Sequence, residues 1–235
     1  MKHKNALIFG HNEYAFEIVK NISSNYENIH IFKLEENMSV VDKENEKYEV
    51  SSFDLTDDWD DLNQKVNITD SVAFCTLEDM AENIFLTISL RDTFKDLSII
   101  ALAKDKESAT KLKLAGASRV VPLTQTTANV IVEMLEKPIV TEVLHNILYE
   151  QSDLQIAQIK IQNHHIFKEK YPAEIDWREQ HGIMVISVVH ENNSTEFIYS
   201  SKTKHHPIKN GDIFIVVGNE TDIVNFEKLI GSRCE

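Results

Sequence analysis

Residues 97–123, LSIIALAKDKESATKLKLAGASRVVPL, carry the reading on which the fold turns. The stretch opens with Ile99-Ile100-Ala101-Leu102, a short, partly β-branched apolar run of the kind that forms a fully buried parallel strand. From Ser108 to Leu114 the chain is charged on one side and sets Ala109, Leu112 and Ala115 on one helical face. Gly116 stands where that helix must stop, since glycine enters the left-handed C-cap conformation without a Cβ clash. Arg119-Val120-Val121 is a second short strand, closed by Pro122, which removes a ladder donor. Strand, helix and strand in so short a span form a βαβ unit with a right-handed crossover, and such a unit requires an open parallel sheet to dock into.

Working outward, Ala6-Leu7-Ile8-Phe9 is a buried-strand run that ends at Gly10. Gly10-His11-Asn12-Glu13-Tyr14-Ala15 then leads into a helix with Ala15, Ile18, Val19 and Ile22 on its apolar stripe. This is half of a dinucleotide turn: a glycine for the sharp bend, then helix N-terminal amides able to hold a phosphate. Asn12 replaces the second glycine of the fingerprint and Ala15 the third, so a plain βα turn is the competing reading. Ile29-His30-Ile31-Phe32 is a second strand, with Lys33 just past it. Lys33 there is either a phosphate partner or a solvated strand-end charge, and Glu35 is placed to accept ribose hydroxyls. Tyr48 to Phe53 reads as a third strand, Asp57 to Asp61 with Trp59 and Leu62 as a short amphipathic helix, Asp70 to Thr76 as a fourth strand and Asp79 to Arg91 as a helix. Alternating strands and helices predict an α/β fold, a Rossmann-like doubly wound parallel sheet with a crevice at the carboxyl ends of its strands. Gly10, Lys33, Asp54, Thr76 and Lys104 fall at those ends. With His11, Asn12, Glu13, Leu55, Leu77 and Glu78 beside them, they make up the candidate ligand site.

Beyond Leu123 the pattern becomes helical without strands: Val130, Ile131, Met134 and Leu135, then after Pro138 Val140, Val143, Leu144, Ile147 and Leu148. Pro138 cannot donate inside a helix, so two helices joined by a kink or tight turn are expected, with an apolar face that must cover something. After Glu150 the period changes to two. Leu154, Ile156, Ile159 and Ile161 open a strand, Ile183 to Val189 make another and Phe197 to Tyr199 a third, with Asn192-Asn193 as a turn. Ile208 to Gly218 is a turn feeding an apolar strand, and Asp222 to Ile230 a closing helix. The expected division is 1–123, 124–150 and 151–235, the last a smaller α+β domain.

With 24 basic and 38 acidic residues among 235, the formal charge of −14 argues against duplex nucleic acid and against an anionic membrane surface as partners. Cys75 and Cys234 make neither a disulfide framework nor a zinc pattern and suit a reducing compartment. No run of eighteen apolar residues occurs, so no segment of this chain is expected to insert into a membrane. His164-His165 and His205-His206, if extended, point to opposite faces and make poor metal sites. Asp57-Asp58 with Asp60-Asp61 reads as a solvated helical first turn, and Cys75 as a core residue. No Ser/Tyr/Lys or His/Asp catalytic arrangement is present, so no enzymatic activity is expected, an oxidoreductase on the same sheet being the alternative from another class.

Asp54-Leu55-Thr56-Asp57, Thr76-Leu77-Glu78-Asp79 with Glu82-Asn83, Leu114 to Pro122, and Asn210-Gly211-Asp212 through Gly218 together resemble the RCK family, the regulators of potassium conductance built from TrkA-N and TrkA-C parts. The resemblance covers nearly the whole chain, and it implies a cytoplasmic gating module at the inner face of the plasma membrane. Such a module forms a homodimer, commonly within an octameric ring, on the membrane domain of a potassium channel or transporter. It also implies an adenine nucleotide (ATP, ADP, AMP or NAD(H)) or an ion in the N-terminal crevice, and makes residues 124–150 the helices that cross to the partner subunit. His11-Asn12-Glu13 departs from the glycine-rich form, as in members fused to a channel pore, which puts NAD in doubt. A free-standing Trk or Ktr transporter subunit is the nearer alternative, and the start at Met1 fits both. In calcium-gated members carboxylates occupy the places that Thr76, Leu102 and Lys104 hold here. Leucine and lysine cannot ligate a hard cation, so no metal site is expected there.

Overall fold

A computed structural model of the chain describes residues 4–35, 48–56, 59, 62, 67–149, 153–167, 170–192, 194–198 and 207–233. The expected Asp57-Asp58 and Asp60-Asp61 turn, Asn193, Tyr199, His205-His206 and Cys234 lie outside them. The chain divides into two compact units, residues 1–132 and 133–235.

The first unit is built on six strands, β1 (Asn5–Phe9), β2 (Asn28–Leu34), β3 (Glu49–Phe53), β4 (Ser71–Cys75), β5 (Ser98–Ala103) and β6 (Arg119–Pro122). They lie in the order β3-β2-β1-β4-β5-β6, and every neighbouring pair is parallel. Among the described residues the helices here are α1 (Glu13–Ile22), α2 (Met80–Thr93), α3 (Lys106–Leu114) and α4 (Leu123–Glu136), the last continuing past the division at residue 132. Side-chain alternation sorts the sheet into two faces. Ala6, Ile8, Ile29 and Ile31 bury against Ala15 and Val19 of α1. On the other face Leu7, Phe9, Ala73, Cys75, Ile99 and Ala101 bury with Leu86 and Leu90 of α2 and Leu112 of α3. β1 is central and buried at every residue. β5 is not: Ile99, Ala101 and Ala103 are buried, whereas Ile100 and Leu102 are only half-buried. Its run of apolar residues is closed on one face alone, which corrects the expectation of a fully buried strand.

The deciding stretch folds as strand, helix and strand, with a helix start two residues earlier than its apolar spacing predicts. Asp105 is the reason. Its carboxylate accepts from the Ser108 N–H at 2.8 Å while the Asp105 N–H donates to Ser108 Oγ at 3.1 Å, a reciprocal cap that draws Lys106 and Glu107 into the first turn. At the other end Gly116 takes φ +102°, its N–H reaches the Lys113 carbonyl and the Ala117 N–H reaches that of Leu112, both at 3.1 Å. The Arg91 guanidinium of α2 locks this turn, donating to the carbonyls of Gly116 (2.9 Å), Phe94 (3.1 Å) and Leu97 (2.6 Å) and to Ser118 Oγ (3.1 Å).

The second unit carries α5 (Pro138–Tyr149) and an antiparallel sheet in the order β11-β7-β10-β8-β9. Its strands are β7 (Leu154–Ile161), β8 (Met184–Val189), β9 (Thr195–Phe197), β10 (Ile213–Asn219) and β11 (Gly231–Arg233). Helix α7 (Glu220–Ile230) buries Ile223, Phe226 and Ile230 with Ile159, Val188, Phe214 and Val216 of the sheet and Trp177 of α6 (Trp177–His181). Pro138 is the first residue of α5, where its missing N–H costs nothing, and the preceding Lys137 N–H still donates to the Glu133 carbonyl at 2.8 Å. β11, α6 and the 3-10 turns at His164–Phe167 and Pro172–Glu174 have no counterpart in the sequence reading. The first of those turns corrects the extended picture of His164-His165: the two rings lie 4.1 Å apart, and His164 Nδ1 meets Asn210 Oδ1 at 2.8 Å.

A Cβ added at Gly116 falls 2.4 Å from Arg91 Cγ, on a backbone that L-residues avoid. Gly116→Ala is therefore expected to destabilise the first unit by about 1–3 kcal/mol, read as a lowered urea midpoint at unchanged m-value.

Candidate functional site

The strand order reverses between β1 and β4, and at that point of a doubly wound sheet the ends of two neighbouring strands leave a crevice for a ligand. β1 runs out into Gly10, whose φ of +138° turns the chain toward α1 while its N–H still donates to the Phe32 carbonyl of β2 at 2.9 Å. Only glycine fits, because a Cβ here would sit 2.3 Å from Thr76 Oγ1. Thr76, just past β4, is itself tied back to β1: its N–H and its hydroxyl both donate to the Phe9 carbonyl, at 2.9 and 3.0 Å.

Asn12 completes the junction. It is the N-cap of α1, its Oδ1 accepting from the Ala15 N–H at 3.1 Å, while its Nδ2 donates to the Thr76 carbonyl at 2.7 Å. The two partners fix the amide orientation, since one offers only a donor and the other only an acceptor. One side chain therefore fastens the first turn of α1 to the end of β4. His11 is half-buried, its ring edge-on to Phe16 with centroids 4.9 Å apart. Glu13 is exposed in the first turn of α1, where its charge suits the helix dipole and also opposes an anion bound at the same place.

The remaining sequence-predicted residues spread along the carboxyl edge. Lys33 is not a solvated charge past the end of β2. It lies within the strand, paired in register with Ser52, and is only 5% exposed, on the face that Ile29 and Ile31 turn toward α1. Strand β2 runs on to Leu34, and that extension puts Lys33 at an inward position. Asp54 is exposed beyond β3, next to Leu55, and its carboxylate accepts from the Thr56 hydroxyl at 2.6 Å and the Thr56 N–H at 2.7 Å. Those bonds, the hydroxyl first, hold the carboxyl below its ordinary range. Leu77 is buried, Glu78 exposed, and Lys104 exposed past β5, its carbonyl accepting from Thr124 Oγ1 at 2.5 Å. Gly10, Asn12 and Thr76 are thus in direct contact. Asp54 and Lys104 stand on opposite sides of them, roughly 19 Å apart by four strand spacings.

Asn83 organises this edge, although the sequence reading used it only as a family marker. Fully buried on α2, it accepts from the Leu77 N–H at 3.2 Å and donates to the carbonyls of Cys75 (3.2 Å) and Leu102 (3.0 Å), joining β4, β5 and the loop between β4 and α2. A buried asparagine in the first turn of a helix was the available signal. Cys75 beneath it is fully buried, and burial pushes its thiol up to about 12, so it is inert at neutral pH. Among the described residues no group of three or more His, Cys, Asp and Glu is placed to hold a metal ion. The donors suit an anion instead: a first helical turn whose early amides have no partner within the helix, at a turn where glycine brings the backbone close.

Removing the Asn83 side chain takes away the acceptor of the Leu77 N–H and a donor to two strand-end carbonyls. Asn83→Ala is expected to cost about 2–4 kcal/mol in chemical denaturation, against under 1 kcal/mol for the exposed control Glu78→Ala.

The TrkA-N domain family matches residues 6–123 of the chain. Over 221 residues the chain is 26% identical to the probable potassium channel protein 2 of Methanocaldococcus jannaschii, a match covering 88% of this chain and 62% of that protein. The chain therefore spans less than two thirds of that relative. Among solved structures, the human SLO3 gating ring superposes with a TM-score of 0.67 at 10% identity, over 94% of this chain and 45% of that one. The GsuK RCK domain matches with a TM-score of 0.47 at 19% identity, over 97% of this chain and 46% of the other. The GsuK channel bound to NAD gives 0.47 at 18%, over 96% and 38%. The SLO3 likeness is one of fold.

Proposed function

The chain belongs to the TrkA-N family of RCK domains, and from that premise we propose that it is the ligand-sensing regulatory part of a potassium channel, acting at the cytoplasmic face of the membrane. The observation that carries the reading is the Gly10 turn at the switch point of the parallel sheet. It supplies the backbone bend and the helix N-terminus that an adenine nucleotide's phosphate requires. In this reading the phosphate meets the amides around Gly10, His11, Asn12 and Glu13. The adenosine lies over the ends of β2 and β3, with Asp54 and Leu55 at the edge and Lys33 buried within β2 behind it. Thr76, Leu77, Glu78 and Lys104 line the far side of the crevice.

Regulation needs no chemical step. A ligand moves an equilibrium only by its different affinity for the two states, so the nucleotide must prefer one geometry of paired domains over another. Pairing falls to residues 124–150, between an N-terminal domain of residues 1–123 and a C-terminal domain of residues 151–235. Leu135 is 78% exposed and Ile139 75%, with Ile131, Val140 and Val143 also bare, a density of apolar surface that suits burial against a second copy of the chain. Homodimers of this kind, closed into a ring of eight on the channel, would transmit the ligand's preference to the pore.

Two measurements test this reading. AMP at about a hundred times its dissociation constant should add roughly 2.7 kcal/mol to stability, seen as a rise in melting temperature that Asp54→Ala abolishes. No rise with any adenine nucleotide would contradict it. By light scattering the chain should be at least dimeric and Leu135→Glu with Ile139→Glu monomeric, and a monomeric parent chain would remove the assembly half of the account.

A further inference from the structure

We infer that Asn12 restricts the crevice to a mononucleotide and closes it to a dinucleotide such as NAD. The inference rests on the reading of the crevice as an adenine-nucleotide site and goes beyond it to the size of ligand admitted. In a doubly wound sheet a dinucleotide lies across the switch point, one half over each half of the sheet, and its pyrophosphate passes over the first turn where the second glycine of the fingerprint leaves the backbone bare. Here that position is Asn12. Its amide spans from the Ala15 N–H, at 3.1 Å, to the Thr76 carbonyl, at 2.7 Å, and so occupies the crossing itself.

Two further observations point the same way. Asn12 takes up the Ala15 N–H, which leaves one fewer first-turn amide for a bridging pyrophosphate to use. The β4 side of the crossing is also drawn shut. The Thr76 hydroxyl is committed to Phe9, Leu77 is buried, and Asn83 holds the Leu77 N–H at 3.2 Å. On the β2–β3 side Asp54 and Leu55 stand at the edge, Asp54 exposed and bonded to Thr56, and the inference gives that half of the sheet to the adenosine. A dinucleotide would have to break the Asn12 bond to Thr76 and leave both groups to find other partners, a cost that an AMP-sized ligand avoids.

NAD is AMP extended by a second nucleotide, so comparing the two isolates the crossing. Isothermal titration calorimetry on the full 235-residue chain should give AMP an affinity at least about tenfold above that of NAD. Asn12→Gly should narrow that gap by about tenfold, and Asn12→Ser, which keeps the helix cap but is too short to reach Thr76, should narrow it in part. The serine variant also decides the matter if the glycine variant fails to fold. Equal affinities in the parent chain, or a gap unchanged in the variants, would overturn the inference while leaving a nucleotide site in place. Binding of neither compound to the parent chain would overturn both the inference and the reading beneath it.

Discussion

The Phe9 carbonyl, at the last residue of β1, receives two hydrogen bonds from Thr76, and the site depends on that junction. It sets how close the ends of β1 and β4 come, and so forbids any side chain at Gly10. It also presents the Thr76 carbonyl to Asn12, which in turn caps α1. Strand, turn, helix cap and crevice wall are thereby one hydrogen-bonded assembly, in a place where buried polar groups are costly unless matched. In the reading proposed here, the residues that shape the turn also set how much room a ligand has.

Elsewhere the unit relies on the same device, one polar side chain serving several backbone groups at a strand's end. Asn83 does this for β4 and β5, and Arg91 for the turn before β6. Each releases irregular backbone from needing water, so that loops can be held rigidly at the carboxyl edge of the sheet. The apolar faces behind them, Leu86 and Leu112 on one side and Ala15 and Val19 on the other, fix the helices that carry these residues. What the first unit does not bury is equally informative. Apolar residues of α4, and of α5 in the second unit, stay exposed, and it is on them that the proposed pairing rests.

Most of the architecture was legible because it rests on periodicity and on glycine. The run from Ile99 to Pro122 announces strand, helix and strand through apolar spacing, Gly116 and Pro122, and the observed turn at Gly116 has the left-handed geometry that reading requires. Three features were not legible, each for a stated physical reason. The start of α3 follows the Asp105–Ser108 cap, whose polar pair outweighs the apolar stripe used to place it. Lys33 was placed just past the strand, as a phosphate partner or a solvated charge, because a lysine after four apolar residues looks like a strand end; continued pairing with β3 carries the strand past it. The described residues 162–167 and 170–182 hold short turns and a five-residue helix, α6, too brief for a period to emerge. At the site, Gly10 and Thr76 could be placed at strand ends from the pattern, but the bond between Asn12 and Thr76 joins residues 64 apart and is invisible until the sheet order is known. Asn12 looked like a damaged glycine fingerprint, whereas its side chain is an interaction in its own right.

The most direct test of the account is hydrogen–deuterium exchange of the full chain with and without saturating AMP, since it reads which backbone amides a ligand covers. The account predicts slowed exchange in residues 9–16 and 53–56, at the Gly10 turn and the end of β3, as the primary footprint. Protection confined to residues 153–233 would contradict it and place the sensing function in the second unit.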